Sequence, residues 1–463
     1  MKLYKIMNYT IILLMIAAVY QTGELWLQGT SSRSFFSLMA ETTSSDTVEM
    51  EEITLLPTAY AISGGEGAFT MYYPEDGSNQ KVLTYAEDVL AETIADRNLV
   101  VETDVEVDWK TLLAQRTVVW QYDFLLSGND YFVDSILSAN EMDMEFDCMI
   151  MAPSRRLGEN TSIYFVNSST NTCVSYITKT SSVGPDLYEL LATDVEKNVY
   201  ISTGQKIGSS VIGRNLFLPQ WAELPYAYQT VLAEPTFVVD GVFSRTDMED
   251  TVKGFFRNFS VDWSNQDADG TYIFSDNETV INYEPDIYML EYYNYDSYGN
   301  DANQTSLLEG YQISKNFLSN DNSLNTEIYL ADVKKRSNET VYYFDYVVGE
   351  FPISLSRDLL QTLEVEHAIE VCVRNDSVKQ YRRYMVNFEE SEEERSLDVQ
   401  FIDALDDANK TYQLTVEDKA ISEVMDISLE YYVEQTGEAG LKWLVTLYEY
   451  VFVTESNMED LLM

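Results

Sequence analysis

Nine consecutive apolar residues, Ile11 to Val19, follow a start carrying Lys2 and Lys5, and the next basic residue is Arg33. That asymmetry predicts a cytoplasmic amino terminus and export of the remainder. A helix from Tyr4 to Leu27 would be about 36 Å long, enough to cross a hydrocarbon core of about 30 Å. Signal peptidase needs small residues at the first and third positions before its cut, but Ile16 precedes Ala18 and Leu38 precedes Ala40. The pattern predicts an uncleaved signal anchor over residues 1–30, with a removed leader as the alternative. If the helix stays, Gln21, Thr22 and Gly23 lie just inside the outer interface, with Trp26 as a belt residue. Polar and small residues there can bond and pack against another membrane helix; the plainer reading is that they mark where the helix leaves the lipid.

Residues 31–56 are rich in Ser, Thr and acids without sustained periodicity and read as a juxtamembrane linker. Beyond them the periods of helix and strand alternate. In the first block, 57–205, a strand ending at a Pro-Glu-Asp-Gly turn precedes a helix predicted to start at Thr84, with Glu87 completing a capping box and Ala86, Val89, Leu90 and Ile94 as its buried stripe. "TSIYFVNSSTNTCVSYITK" reads as a hairpin, and "GPDLYELLATDVEKN" as a helix with Pro185 in its first turn. In the second block, 206–322, "TDMEDTVKGFFRNF" predicts a helix capped by Thr246 and Glu249 that buries Met248, Val252, Phe255 and Phe256. A hairpin around Asp276-Asn277 follows. The third block, 323–463, holds two more hairpins, "EIYLADVKKRSNETVYYFDYVVGEFPI" and "AIEVCVRNDSVKQYRRYMVNFEE". The repeated "NETV" at Asn277 and Asn338 hints that the second and third blocks are related units. Helices followed by paired antiparallel strands predict an α+β protein: a membrane anchor helix and three exported domains of antiparallel sheet packed with helices.

Charge narrows the partners. With 29 Lys and Arg against 77 Asp and Glu, the chain carries −48, which repels nucleic acid and anionic lipid and favours basic proteins, cations or uncharged molecules. The acidic run Glu389 to Arg395 is expected to be a solvated loop. Cys148, Cys173 and Cys372 lack metal-site spacing and are expected as buried apolar residues, with a bridge between Cys148 and Cys173 as the alternative.

Candidate chemistry is sparse. His367 is the single histidine, so any Ser-His-Asp or Cys-His mechanism would need it; a partly exposed sheet residue is the favoured reading. Neither a Walker nor a GxGxxG loop occurs. "NQDADGTYIFSD", Asn265 to Asp276, has calcium-loop spacing, but its first position is Asn, its last is the short Asp, and "TYIF" reads as a strand where a helix is required, so an Asp-Gly turn is expected. Carboxylates abound, yet no pair is singled out. The 34 tyrosines fit sheets with one wet face, or else a contact surface for carbohydrate or protein. No catalytic residue, metal ligand or cofactor is predicted.

The basic start, the anchor containing "AVYQTGELW", the linker with "RSFF" and the helix-plus-hairpin units together resemble the YycH proteins. "YVVGEFPI" looks like that family's strand ending in a Gly-x-Pro turn, "IEVCVRNDSVKQYRRY" like its following hairpin, and "ISLEYYVEQTGEAGLKWLVTLYEYVFV" like a closing pattern shared by YycH and its companion YycI. The resemblance implies a non-enzymatic, single-pass membrane regulator of the WalK (YycG) sensor histidine kinase of Gram-positive bacteria, which adjusts signalling for cell-wall metabolism. Its partners would be that kinase and a YycI-like companion, contacted through the membrane helix and the exported domains. Two other classes compete: an extracellular module binding wall polymer or peptide, and a secreted hydrolase using carboxylates.

Overall fold

The computed structural model describes residues 55–454 apart from 74–79, 97–98, 132–143, 194–199, 207–211, 213, 222–223, 240, 257–262, 269, 296–304, 416–423 and 448–449. The anchor, with Gln21, Thr22, Gly23 and Trp26, lies outside the described residues. Among the described residues no helix is long and apolar enough to cross a membrane. The chain from Thr54 onward forms one compact unit, and its architecture is α+β.

The first sheet comprises β1 (Ala59–Ser63), β2 (Thr70–Tyr72), β3 (Val100–Glu106), β4 (Thr117–Ser127), β5 (Glu145–Ala152), β6 (Thr161–Asn167) and β7 (Thr172–Thr178), in the order β2-β1-β4-β5-β6-β7-β3. Helices α1 (Gln80–Ala95) and α2 (Gly184–Thr193) share a core with Met149, Met151, Phe165 and Tyr176. The alternate positions Cys148, Ile150, Val166 and Cys173 pack with Trp109, Leu112 and Phe217. Burial of both faces explains unbroken apolar runs such as Cys148 to Ala152. The capping box expected at Thr84 is absent: α1 starts at Gln80, whose carbonyl accepts from the Thr84 hydroxyl at 2.9 Å. Val82 is buried with Ala86, Val89 and Leu90, so the apolar stripe itself reaches one turn further back. Cys148 and Cys173 are free thiols, each paired in register with Val166 of the intervening strand. Two strand spacings, roughly 9–10 Å, are too wide for a bridge.

Two short antiparallel pairs, β8 (Tyr200–Ser202) with β9 (Phe217–Pro219) and β11 (Val238–Val239) with β12 (Val242–Phe243), flank β10 (Tyr226–Pro235). The second sheet has 14 strands. Its first half holds β13 (Trp263–Gln266), β14 (Tyr272–Ser275), β15 (Thr279–Glu284), β16 (Met289–Asn294), β17 (Glu327–Arg336), β18 (Glu339–Val348), β20 (Ile369–Arg374) and β21 (Ser377–Tyr384). Strand β19 (Phe351–Leu355) joins these to β22 (Val386–Leu397), β23 (Asp426–Val433), β24 (Gly437–Leu447), β25 (Tyr450–Thr454) and β10. The order β13-β14-β15-β16-β21-β20-β18-β19-β23-β24-β10-β22 has β17 beside β18 and β25 beside β24. Among the strands of the described residues, only β19 and β23 pair in parallel. A helix precedes each meander: α3 (Arg245–Gly254) before β13, α4 (Leu307–Leu318) before β17, and, after the short α5 (Arg357–Leu363), α6 (Phe401–Thr415) before β23.

Two expectations in this half change and a third holds. Helix α3 is capped by Ser244, whose side chain accepts from the Asp247 amide at 3.4 Å; Glu249 pairs instead with Arg245 at 2.6 Å. The acidic run is no loop: Glu389 to Arg395 lies in β22, in antiparallel register with β10. Its charges point to solvent from an edge strand, where charge hinders pairing with foreign chains. The strand expected in "TYIF" is formed: β14 pairs with β13, and the Asp276 carboxylate accepts from the amides of Glu278 and Thr279 at 2.8 and 2.6 Å.

Close packing of α4 gives a direct test. Gly310 faces Tyr342, whose hydroxyl donates to the Leu307 carbonyl at 2.7 Å, and a methyl group at residue 310 would overlap that hydroxyl. Gly310→Ala should therefore destabilise the chain by about 1–3 kcal/mol in urea unfolding, as overpacking does, although alanine favours an exposed helix by about 1 kcal/mol. A stabilised variant would show that the helix is free to move off the sheet.

Candidate functional site: a carboxylate cleft between the sheets

Strand alternation builds the cleft. In β4, Tyr122, Phe124 and Leu126 turn into the core, so Asp123 points outward. In β23, Ile427, Leu429, Tyr431 and Val433 are buried, which leaves Asp426, Ser428 and Glu430 on the other face. Residue 212 bridges to Val424, and two positions on Arg214 reaches across to both strands. Its Nη2 lies 2.9 Å from Asp426 and its Nη1 3.6 Å from Asp123. Tyr73 and Tyr329, with ring centroids 5.2 Å apart, and Glu350 complete the wall. The cleft holds about 100 Å³.

More carboxylates than cations converge here. Burial is the main reason that the Glu430 carboxyl is pushed up to about 7, with Asp426, Asp123 and Asp345 adding to it against a hydrogen bond from Ser428. Burial also raises Asp123, although Arg214 opposes it. The same junction is fastened by Lys335 on β17, which pairs with Asp130 just after β4, and by the Thr58 hydroxyl, which donates to the Leu330 carbonyl at 3.2 Å and accepts from the Asp123 amide at 3.1 Å. A cleft this small does not admit a sugar ring with flanking groups, since ligand pockets start near 300 Å³. Two of its acids are moreover committed to Arg214. The geometry suits an electrostatic joint between sheets.

Two further polar centres lie outside the cleft. His367 sits before β20 and not within a strand; its Nδ1 is 2.6 Å from the Asp345 carboxylate, which also accepts from the Ala368 amide at 2.9 Å. Burial pulls this imidazole down and Asp345 more than offsets it, so its pKa is raised. Asp345 orients the ring, but no hydroxyl or thiol nucleophile is bonded to its other side among the contacts described. Beneath α4, a second cavity of about 410 Å³ is walled mainly by Leu56, Tyr311, Leu324, Ile328 and Phe344. Its buried carboxylate, Asp321, is held by Arg383 at 2.7 Å.

Of these residues the sequence singles out only His367. Asp123 and Glu430 could have been flagged as acids at outward positions of apolar strands, but Arg214 in "IGRNLF" carries no local signal.

The arrangement of strands can be compared with known proteins, though no family model and no curated protein matches the sequence. The crystal structure of YycH from Bacillus subtilis aligns over 88% of this chain and 98% of its own, with a TM-score of 0.51 and 13% identity. The chain has the YycH fold. At that identity the likeness concerns the path of the backbone and carries no residue role across. An uncharacterized protein from Eubacterium rectale (TM-score 0.31, 15% identity, 57% of this chain and 88% of that one) and the YpeB C-terminal domain of Bacillus megaterium (0.26, 12%, 46% and 93%) are also similar, at scores too low to bear on fold or function. With 88% of the chain aligned, the likeness extends into both sheets.

Proposed function

We propose that this chain is a non-enzymatic, membrane-anchored regulator of a sensor histidine kinase of the WalK type, with a YycI-like companion, acting from the outer face of the cell membrane on cell-wall metabolism. The observation that carries this reading is the YycH fold over 88% of the chain, found downstream of a sequence patterned as a signal anchor. Contact alters kinase output only where it is stronger in one kinase conformation than in the other. A few kcal/mol of difference shifts such an equilibrium substantially. Helix packing by Gln21, Thr22, Gly23 and Trp26, together with contacts of the exported blocks 57–205, 206–322 and 323–463, supplies that difference in our reading.

The cleft does not favour a hydrolase, for the reasons of size and pairing given above. Exchange of residues 1–30 for an unrelated single-pass anchor should abolish the regulated change in kinase phosphorylation while the exported part remains displayed at normal level. Unchanged regulation would remove the helix from the mechanism and favour a tethered binding module.

A further inference from the structure

We propose that the free edge of β25 is a strand-addition surface for an extended partner segment whose alternating apolar residues are flanked by Lys or Arg. The strand reads Tyr450-Val451-Phe452-Val453-Thr454, without a charge. It pairs with β24 on one side, and among the described residues no strand pairs with the other. Tyr450 and Phe452 lie against Tyr412 of α6, with ring centroids 6.0 and 6.3 Å away. Val451 and Val453 alternate to the opposite face, opposite Thr446 and Leu444 in register. The Met425 amide bonds the Thr446 carbonyl at 2.9 Å, bringing a further exposed apolar residue to the same strands. Tyr450, Val451 and Val453 are 45%, 50% and 38% exposed.

The other edges of the two large sheets are defended in the ways edges usually are. Strand β3 has a bulge and exposes Glu102 and Glu106; β17 has a bulge with Lys334, Lys335 and Arg336; β22 carries the acidic run; β2 and β13 are three and four residues long. Strand β25 has no such defence, and an added strand there would gain main-chain hydrogen bonds and cover the valines. Charge selects the occupant. In the sequence the strand is flanked by Glu449 and Glu455, and a second copy would bring the same acidic flanks. Like charges opposite one another are destabilising, and two chains at −48 each repel at long range. A basic-flanked strand turns both terms favourable.

This gives a contact chemistry to the partner-binding role proposed above and rests on it, but the test uses no kinase, so its failure and the failure of that role are separate results. The full chain in detergent is titrated with a fluorescent peptide Lys-Val-Thr-Val-Tyr-Val-Lys, with its Glu-flanked counterpart, and with a version carrying proline at the central valine. Saturable binding of the first is expected, at least tenfold weaker for the other two, and at least tenfold weaker for the first with Val451→Lys/Val453→Lys. Hydrogen exchange of residues 450–454 should slow when the peptide is added. Equal binding of the Lys- and Glu-flanked peptides, no binding, indifference to the double substitution, or protection at Glu389 to Arg395 instead would each overturn the proposal.

Discussion

Arg383→Met is expected to cost about 3–5 kcal/mol of stability, the usual penalty for removing one partner of a buried ion pair. The Arg383 and Asp321 side chains are both fully buried. The guanidinium donates to Asp321 at 2.7 Å, to the Ser323 hydroxyl at 3.0 Å, to the Tyr346 hydroxyl at 2.9 Å and to Asn387 Oδ1 at 3.1 Å. Tyr381 also donates to the same carboxylate, at 2.8 Å. Methionine fills the volume but leaves Asp321 without its counter-charge. In the native chain burial raises Asp321, and Arg383 with the hydroxyl donors outweighs burial, so its pKa is lowered. The stability due to this shift is present above the ordinary carboxylate pKa and is lost as pH falls through the lowered value. With the arginine gone the shift reverses, so the penalty of the variant should shrink in acid. Adding Asp321→Asn should restore part of the loss at pH 7. Urea unfolding at two pH values measures both effects, and a cost below about 1 kcal/mol at neutral pH is incompatible with an obligatory pair.

Arg214→Gln should have the second-largest effect, about 1–3 kcal/mol at pH 8, smaller because Asp123 and Asp426 are each 37% exposed and solvent screens them. The pH dependence is the sharper signature. Glu430 rises from its ordinary 4.5 to about 7 in the folded chain. Between those values the native state holds a proton that the unfolded state has lost. Its contribution is therefore complete below about pH 4.5 and is lost as pH rises through about 7. Removing Arg214 deepens that decline, because Asp426 and Asp123, which raise Glu430, lose the guanidinium paired with them. Glu430→Gln should flatten it and, in the Arg214→Gln background, recover stability at pH 8 more than at pH 5. A rescue independent of pH would place Glu430 outside the joint.

What could be read from the chain alone was what local pattern encodes. Hairpins β6-β7, β14-β15, β17-β18 and β20-β21 announce themselves through period-two alternation, and the last turns on Asn375 and Asp376 at φ of 50° and 57°, a conformation these residues tolerate. Both NETV copies fall at the turn leading into the second strand of a hairpin, so their likeness reflects turn chemistry at least as much as kinship. Helix starts were misplaced at Thr84 and Thr246 because a Thr-x-x-Glu spacing recurs inside helices too, whereas the box at Ser306 and Glu309 is formed. The acidic strand β22 was illegible since its partner β10 lies some 150 residues earlier, and only that partner's backbone makes it a strand. Arg214 failed for the same reason: its significance lies in Asp123 and Asp426, which only the tertiary fold brings near.

The parallel ladder of Ile353–Leu355 beside Tyr431–Val433 has three register pairs, and the β18–β19 ladder on the other side of β19 has two, Val347 with Pro352 and Val348 with Phe351. Among the described residues β19 is the sole link between the half that begins at β13 and the half that ends at β22, held by these two short ladders. Under tension along the chain, the ladders on the two sides of β19 would shear before the longer ones and let the two halves swing as separate plates. The molecule would then yield at one place while the structure on either side stayed whole.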